Sequence, residues 1–287
     1  MRTLVSITLS LLATTAMAID LVPLWDFGMP ELSEQRFGAA LQAASGDDRL
    51  ILQTQIARTY GLRKNFESAR AMLKALEPQI AGAGPEARSR YFLELGRTYA
   101  SATHPTDSLT AEGKQSARVA YQAALDAAKL GGLDSLAIDA IHMFAFIDTA
   151  PDEQLKWRNA ALAVVESSTQ PDAMRWEASV RNNIGYAMHQ LGRYEEALDQ
   201  FQKAVIIRER GNIDEATRTA RWMVAWTLRA LKRTEEALDI QLRLERERDA
   251  AGQADPHVFD ELEHLFSGKG NTERAAYYAA RRRAISK

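Results

Sequence analysis

Residues 178–211 read ASVRNNIGYAMHQLGRYEEALDQFQKAVIIRERG, and this stretch decides the fold. Its apolar residues recur at helical spacing, without the strand-like alternation of a half-buried sheet. Ile184-Gly185 sit in a first helix and Gly192 ends it. Glycine at a helix end takes a positive φ at little cost, so it releases one helix and lets the next begin. Tyr194, Ala197, Phe201 and Ala204 then mark a second helix. Glu195 and Glu196 fall in its first turn, where negative charge complements the helix dipole.

Five further segments fit the same frame with falling fidelity. Residues 50–77 supply Ile56, Ala57, Tyr60, Phe66, Ala69, Leu73 and Leu76. Residues 90–125 supply Leu95, Gly96, Tyr99, Ala117, Tyr121 and Ala124, with a loop-like insertion, HPTDSLTAE, over 104–112. Residues 136–162 are the weakest match, with Ile141, Phe144, Leu155, Ala161 and Leu162, and Pro151 opening the second helix. Residues 218–244 supply Val224, Ala225, Leu228, Ala237 and Leu244, and residues 256–282 supply Leu262, Phe266, Gly270 and Ala275.

The series resembles the tetratricopeptide repeat, in which a small residue of the first helix faces a small residue of the second. Gly185 and Ala197 hold those places here, and Phe201 fills the gap to the neighbouring unit. Second-helix anchors fall at Ala69, Ala117, Gln154, Ala197, Ala237 and Ala275, spaced 48, 37, 43, 40 and 38 residues. The usual repeat is about 34 residues, which predicts helices longer by up to a turn. The resemblance implies an all-α chain, a right-handed α-α superhelix of about six helical pairs. A non-repetitive helical bundle is the competing reading.

The leader reads differently. Residues 1–18, MRTLVSITLSLLATTAMA, place Arg2 before an apolar run from Leu4 to Ala13, then small residues at 16 and 18. That is the pattern of a secretory signal peptide cleaved after Ala18. The run is shorter than the roughly 20 residues a membrane span needs. The expected division is therefore a signal peptide at 1–18, an extended arm at 19–30 and a helical repeat domain at 31–287, with 32–44 a solitary half-repeat. Export to the periplasm follows as an expectation.

Composition limits the chemistry. Of 287 residues, 46% are hydrophobic and 26% charged, as in an ordinary folded protein. Thirty-six Lys plus Arg against 38 Asp plus Glu give a net charge of −2, no field to attract nucleic acid or anionic lipid. With no cysteine there are no disulfides, thiolate metal sites or thiol nucleophiles. No G-x-S-x-G, phosphate loop, dinucleotide fingerprint or H-E-x-x-H is present, so neither catalytic residues nor a cofactor are expected. His257, Glu261 and His264 share a helical face, but a metal site would need a second such pair, so no metal is expected.

In the resembled family the first helices line a concave groove. Carried over, its lining is Arg58, Arg97, Asn182, Tyr186, His189, Trp222, Trp226 and Arg229, with Thr54, Arg90, Asp139, Met143, Ser179, Thr219, Asp260 and His264 beside them. Arginine forks onto carboxylates, asparagine bonds a peptide backbone and tryptophan offers rigid apolar area, chemistry suited to an extended peptide. The alternative is that Trp222 and Trp226 are simply packed between helices. The acids are expected on the second helices, away from the groove. The functional expectation is a non-enzymatic scaffold or adaptor binding a protein segment. The alternative is a cytoplasmic regulatory or sensor module of a signalling or transcription system. An enzyme with Asp139 or Asp260 as a groove acid is a third option.

Overall fold

The computed structural model describes residues 19–211 and 214–285. The expected leader and its cleavage point after Ala18 lie outside the described residues. Among those described there is no strand.

A 3-10 turn, Val22–Leu24, and α1 (Pro30–Leu41) precede six helical pairs. These are α2 (Gly46–Leu62) with α3 (Phe66–Ile80), α4 (Pro85–Arg97) with α5 (Ala111–Leu130), and α6 (Asp134–Phe144) with α7 (Pro151–Ser167). After the single-turn α8 (Pro171–Met174) come α9 (Glu177–Gln190) with α10 (Tyr194–Arg210), α11 (Asp214–Ala230) with α12 (Thr234–Ala250), and α13 (Pro256–Gly268) with α14 (Thr272–Ile285).

Four of the six pairs close by one repeated device. Arg193 N donates to the Met188 carbonyl at 2.9 Å around Gly192, whose φ is +73°. The same backbone bond recurs from Asn65 to Tyr60, Arg233 to Leu228 and Asn271 to Phe266. It satisfies a carbonyl that the helix end leaves bare. Lys64 and Lys232 take the left-handed conformation at two of these turns, without glycine's freedom.

Small residues set the spacing inside a pair. A Cβ on Gly185 would lie 2.8 Å from the Phe201 ring, and one on Gly96 would collide with Tyr121. Ala197 and Ala117 are fully buried on the facing helices. Thus α9 and α10, like α4 and α5, approach more closely than larger side chains would permit.

Each first helix also packs on the second helix before it, so the pairs form one continuous stack. In addition α2 packs on α4, α4 on α6, and α11 on α13, whereas no two second helices pack comparably. A stack whose first helices meet and whose second helices splay must curve, with the first helices inside. The result is a right-handed α-α superhelix. Two apolar cores run through it, one in the first pairs and one from Leu93 to Tyr278, and Phe92 packs against both.

The long repeat spacing has two sources. The second helices α7, α10 and α12 have 17 residues and α5 has 20. First helices range from 11 residues in α6 to 17 in α2 and α11, and the remaining length lies in connections. The insertion after α4 holds a 3-10 turn, Thr106–Ser108, and α5 starts at Ala111 with Thr110 capping Gly113 N. In the third pair Gln154 is the fourth residue of α7, as Ala197 is of α10, which settles the register the sequence left irregular.

The Gly185–Phe201 contact can be tested directly. Gly185→Ala should cost about 1–3 kcal/mol from overpacking, against roughly 1 kcal/mol gained in helix propensity. Phe201→Leu in the same chain should relieve the clash, so the double variant is more stable than the two single effects add to. Urea midpoints measure this; strict additivity would contradict the close approach.

Candidate binding groove

Three successive first helices build a charged cluster on the inner face. Arg97 of α4 donates to Glu94 at 2.6 Å and to Asp139 of α6 at 2.5 Å. Arg58 of α2 reaches Glu94 at 3.5 Å. Glu94 is buried, and these guanidinium groups face it as counter-ions. Burial lowers the Arg58 pKa, and the neighbouring Arg97 adds to the effect. Burial acts the same way on Arg97, but Asp139 and Glu94 outweigh it and its pKa is raised. Burial would raise Asp139, yet Arg97 and Arg58 hold its carboxyl below the usual range. Burial is the main cause that lowers the pKa of His142, one turn on from Asp139.

These groups line a cavity of about 260 Å³ with Met143, Phe146 and Trp176. Trp176 belongs to the extra segment around α8, which folds back on the start of α6. Trp176 Nε1 donates to Ser135 Oγ at 3.1 Å, and Gln170 Nε2 to the Gly132 carbonyl at 2.7 Å.

The second half of the inner face is aromatic. Trp222 and Trp226, one turn apart on α11, stack at 5.8 Å. Trp226 lies 6.1 Å from the Tyr186 ring of α9 and is covered by His189 at 3.3 Å. Trp222 Nε1 donates to the His257 carbonyl of α13 at 3.1 Å. Both tryptophans are therefore half-packed and half-open, while Tyr186 is 40% exposed. Arg229 donates through Nε and Nη2 to both oxygens of Glu261, at 2.7 and 2.8 Å. Burial, reinforced by Arg229, pulls the His189 pKa down to about 4.

The residues carried over from the family thus fall into two groups. Arg58 and Arg97 share the charged cluster; Tyr186, His189, Trp222, Trp226 and Arg229 belong to the aromatic row. Asn182 touches neither directly: its Oδ1 accepts from Arg208 at 3.5 Å, while Arg158 donates to the adjacent Asn183 carbonyl at 2.7 Å. Thr54 is fully buried and donates to the Ile51 carbonyl, so it belongs to packing, not to the groove lining. The expectation that acids keep to the second helices is overturned. Glu94, Asp139 and Glu261 stand on first helices, where partly buried arginines serve as counter-ions to the buried carboxylates of Glu94 and Glu261. Both Glu261 oxygens are occupied by Arg229, and among the described residues no three potential ligands converge on a metal position. Sequence reasoning missed Glu94, His142, Trp176, Trp25 and Phe27. Glu94 carried a signal, lying one helical turn before Arg97.

Residues 176–245, spanning α9 to most of α12, match the tetratricopeptide repeat family. That stretch carries tetratricopeptide repeats. No curated protein matches it in sequence. Among solved structures it resembles a signal-transduction ATPase with a tetratricopeptide repeat sensor from Pyrococcus horikoshii, at 15% identity and a TM-score of 0.69. That likeness covers 90% of this chain but 39% of the ATPase, so the repeats here span well under half of that protein. The apo form of RapI is similar over 90% of this chain and 71% of its own, at 13% identity and a TM-score of 0.69. Pseudomonas aeruginosa PilF is similar over 84% and 94%, at 16% identity and a TM-score of 0.58. At such identities the repeats share a fold with these proteins.

His189 offers a pH test of the aromatic row. Its ordinary pKa is 6.5 and the folded value is about 4, so between those values the unfolded chain binds the proton more readily. Its contribution to stability is complete above pH 6.5 and shrinks as pH falls towards 4. An NMR titration should place the His189 midpoint near 4, and Trp226→Ala should move it up. A midpoint near 6.5 in the parent chain would contradict the stack.

Proposed function

We propose that the repeats form a non-enzymatic scaffold whose inner face binds an extended segment of another protein. The observation that carries this reading is the half-open row Tyr186, Trp226 and Trp222, set on the same face as arginines already neutralised by acids. Rigid aromatic surface gives large contact area at small entropic cost. Arg97 and Arg229 keep their partners when a segment docks, so no charge is stranded. The carboxylates do not suit acid catalysis: Asp139 is held below the usual range, the opposite of a general acid, and Asp260 is paired with Arg282. The signal-peptide pattern of residues 1–18 supports a periplasmic location for the scaffold.

A second reading is a cytoplasmic sensor module. Two similar structures favour it: the ATPase whose repeats are a sensor, and a Rap protein solved with Competence and Sporulation Factor. The state of the N-terminus separates the readings. Mass spectrometry of the chain expressed in a bacterial host should find a mature start at Ile19 in the periplasmic fraction. Intact Met1 in the cytosol would overturn export and favour the sensor.

The groove is tested by combining Trp222→Ala, Asn182→Ala and Arg58→Ala. Partners captured from periplasmic extract should bind at least roughly thirtyfold more weakly, the effect of losing one or more interface hot spots. Undiminished capture by the folded triple variant rejects the groove.

A further inference from the structure

The arm preceding α1 is folded against the first pair and against a groove residue. Leu21 is buried, and the turn at Val22–Leu24 redirects the chain. Ser33 of α1 ties down the Asp26 backbone, donating to its carbonyl at 2.9 Å and accepting from its N–H at 2.7 Å. Trp25 Nε1 donates to the buried Gln55 of α2 at 3.2 Å. The Trp25 and Phe27 rings stack at 4.6 Å with planes 4° apart, and Trp25 meets Phe37 edge-on at 4.9 Å. The Arg58 guanidinium lies 5.4 Å from both the Trp25 and Phe27 ring centres.

Arg58 is the weakly paired member of the charged cluster. Arg97 takes Glu94 and Asp139 at 2.6 and 2.5 Å, whereas Arg58 has Glu94 alone at 3.5 Å. The two rings of the arm supply what its ion pair lacks, because a guanidinium over an aromatic face gains cation–π energy, more so when desolvated. Nothing in that contact is particular to residues 25 and 27; rings from another chain present the same π faces. The contact is also loosely closed, since Phe27 is 59% exposed. Arg58 in turn lines the cavity of about 260 Å³, so one side chain joins the arm to the groove.

We propose that the Gln55–Arg58 surface of α2 is a site for a segment carrying two aromatic side chains one residue apart, and that Trp25-Asp26-Phe27 fills it as an intramolecular occupant which a partner segment displaces. The proposal rests on the groove reading above and names the chemistry of the partner at its first-pair end. The arm competes at the high effective concentration of a tethered ligand, on the order of millimolar for a short tether. A partner therefore gains access by offering better-placed rings or further contacts along the groove.

The test uses the full chain and a fluorescent peptide of residues 21–29, LVPLWDFGM, added in trans. The Trp25→Ala, Phe27→Ala variant should bind the peptide at least tenfold more tightly than the parent chain. Adding Arg58→Ala should erase the gain, and a peptide with both aromatics changed to alanine should not bind. Because Trp25 also touches Phe37, Phe27→Ala alone serves as a variant that leaves the core intact, and it should show a smaller gain in the same direction. No gain in either folded variant, or a gain that survives Arg58→Ala, overturns the proposal. If partners captured through the groove bind the parent and arm variants equally, the arm proposal fails while the groove reading stands. If the arm variants bind the peptide but partners are kept undiminished when only Trp222 and Asn182 are changed to alanine, the arm site stands and the aromatic row of the groove reading fails.

Discussion

The gap between the two helices of each pair is the constraint on which everything else depends. Gly185 against Phe201 and Gly96 against Tyr121 bring two backbones closer than any larger residue would allow. Tyr121 and Phe201, four residues after the anchors Ala117 and Ala197, stand at that gap, and Leu73, Arg158, Gln241 and Ala279 hold the same place after Ala69, Gln154, Ala237 and Ala275. Where the side chain at this place is apolar or aromatic it is buried, fully so in Leu73, Tyr121 and Phe201. Where it is polar the pair carries a penalty. Arg158 Nε and both amide atoms of Gln241 are buried without hydrogen-bond partners. An unmade buried hydrogen bond costs about 1–3 kcal/mol, so these two positions are weak points in a stack whose stability is the sum of nearest-neighbour terms.

That close approach explains why the architecture was legible. Small anchors, turn glycines and the following bulky residue all lie within one pair, and local spacing exposes them. The turn signal was incomplete in the second and third pairs, whose connections hold no turn glycine, and where Lys64 and Lys232 take the left-handed conformation in place of glycine. The groove's electrostatics were far less legible. Arg97 meets Asp139 across 42 residues, and Arg229 meets Glu261 across 32. Such separations are close to one repeat, so each pair links matching turns of consecutive first helices. Reading the chain modulo the repeat could have proposed them, but the insertions that stretch the period to 37–48 residues blur that register.

The extra segment between α7 and α9 carries a functional consequence of the same irregularity. Residues 168–176 are absent from the simple helix-turn-helix pattern, yet Ser168 hydrogen-bonds Asp134, Gln170 the Gly132 carbonyl and Trp176 Ser135. Trp176 thereby becomes a wall of the charged cavity beside His142. A departure from the repeat thus supplies the apolar side of a site whose polar side is repetitive.

It also separates the inner face into two chemistries. Arg58, Arg97 and Asp139 belong to the first three pairs; Tyr186, Trp226, Trp222 and Arg229 belong to the last three. In a solenoid each unit contacts only its neighbours, so a change in one half reaches the other only through the α6–α9 region. A segment that engages both halves therefore gains as a bivalent ligand does, each contact raising the local concentration for the other. A segment that engages one half must rely on that half's contacts alone. At the first-pair end it must also compete with Trp25 and Phe27, whereas the aromatic row has no such tethered occupant among the described residues.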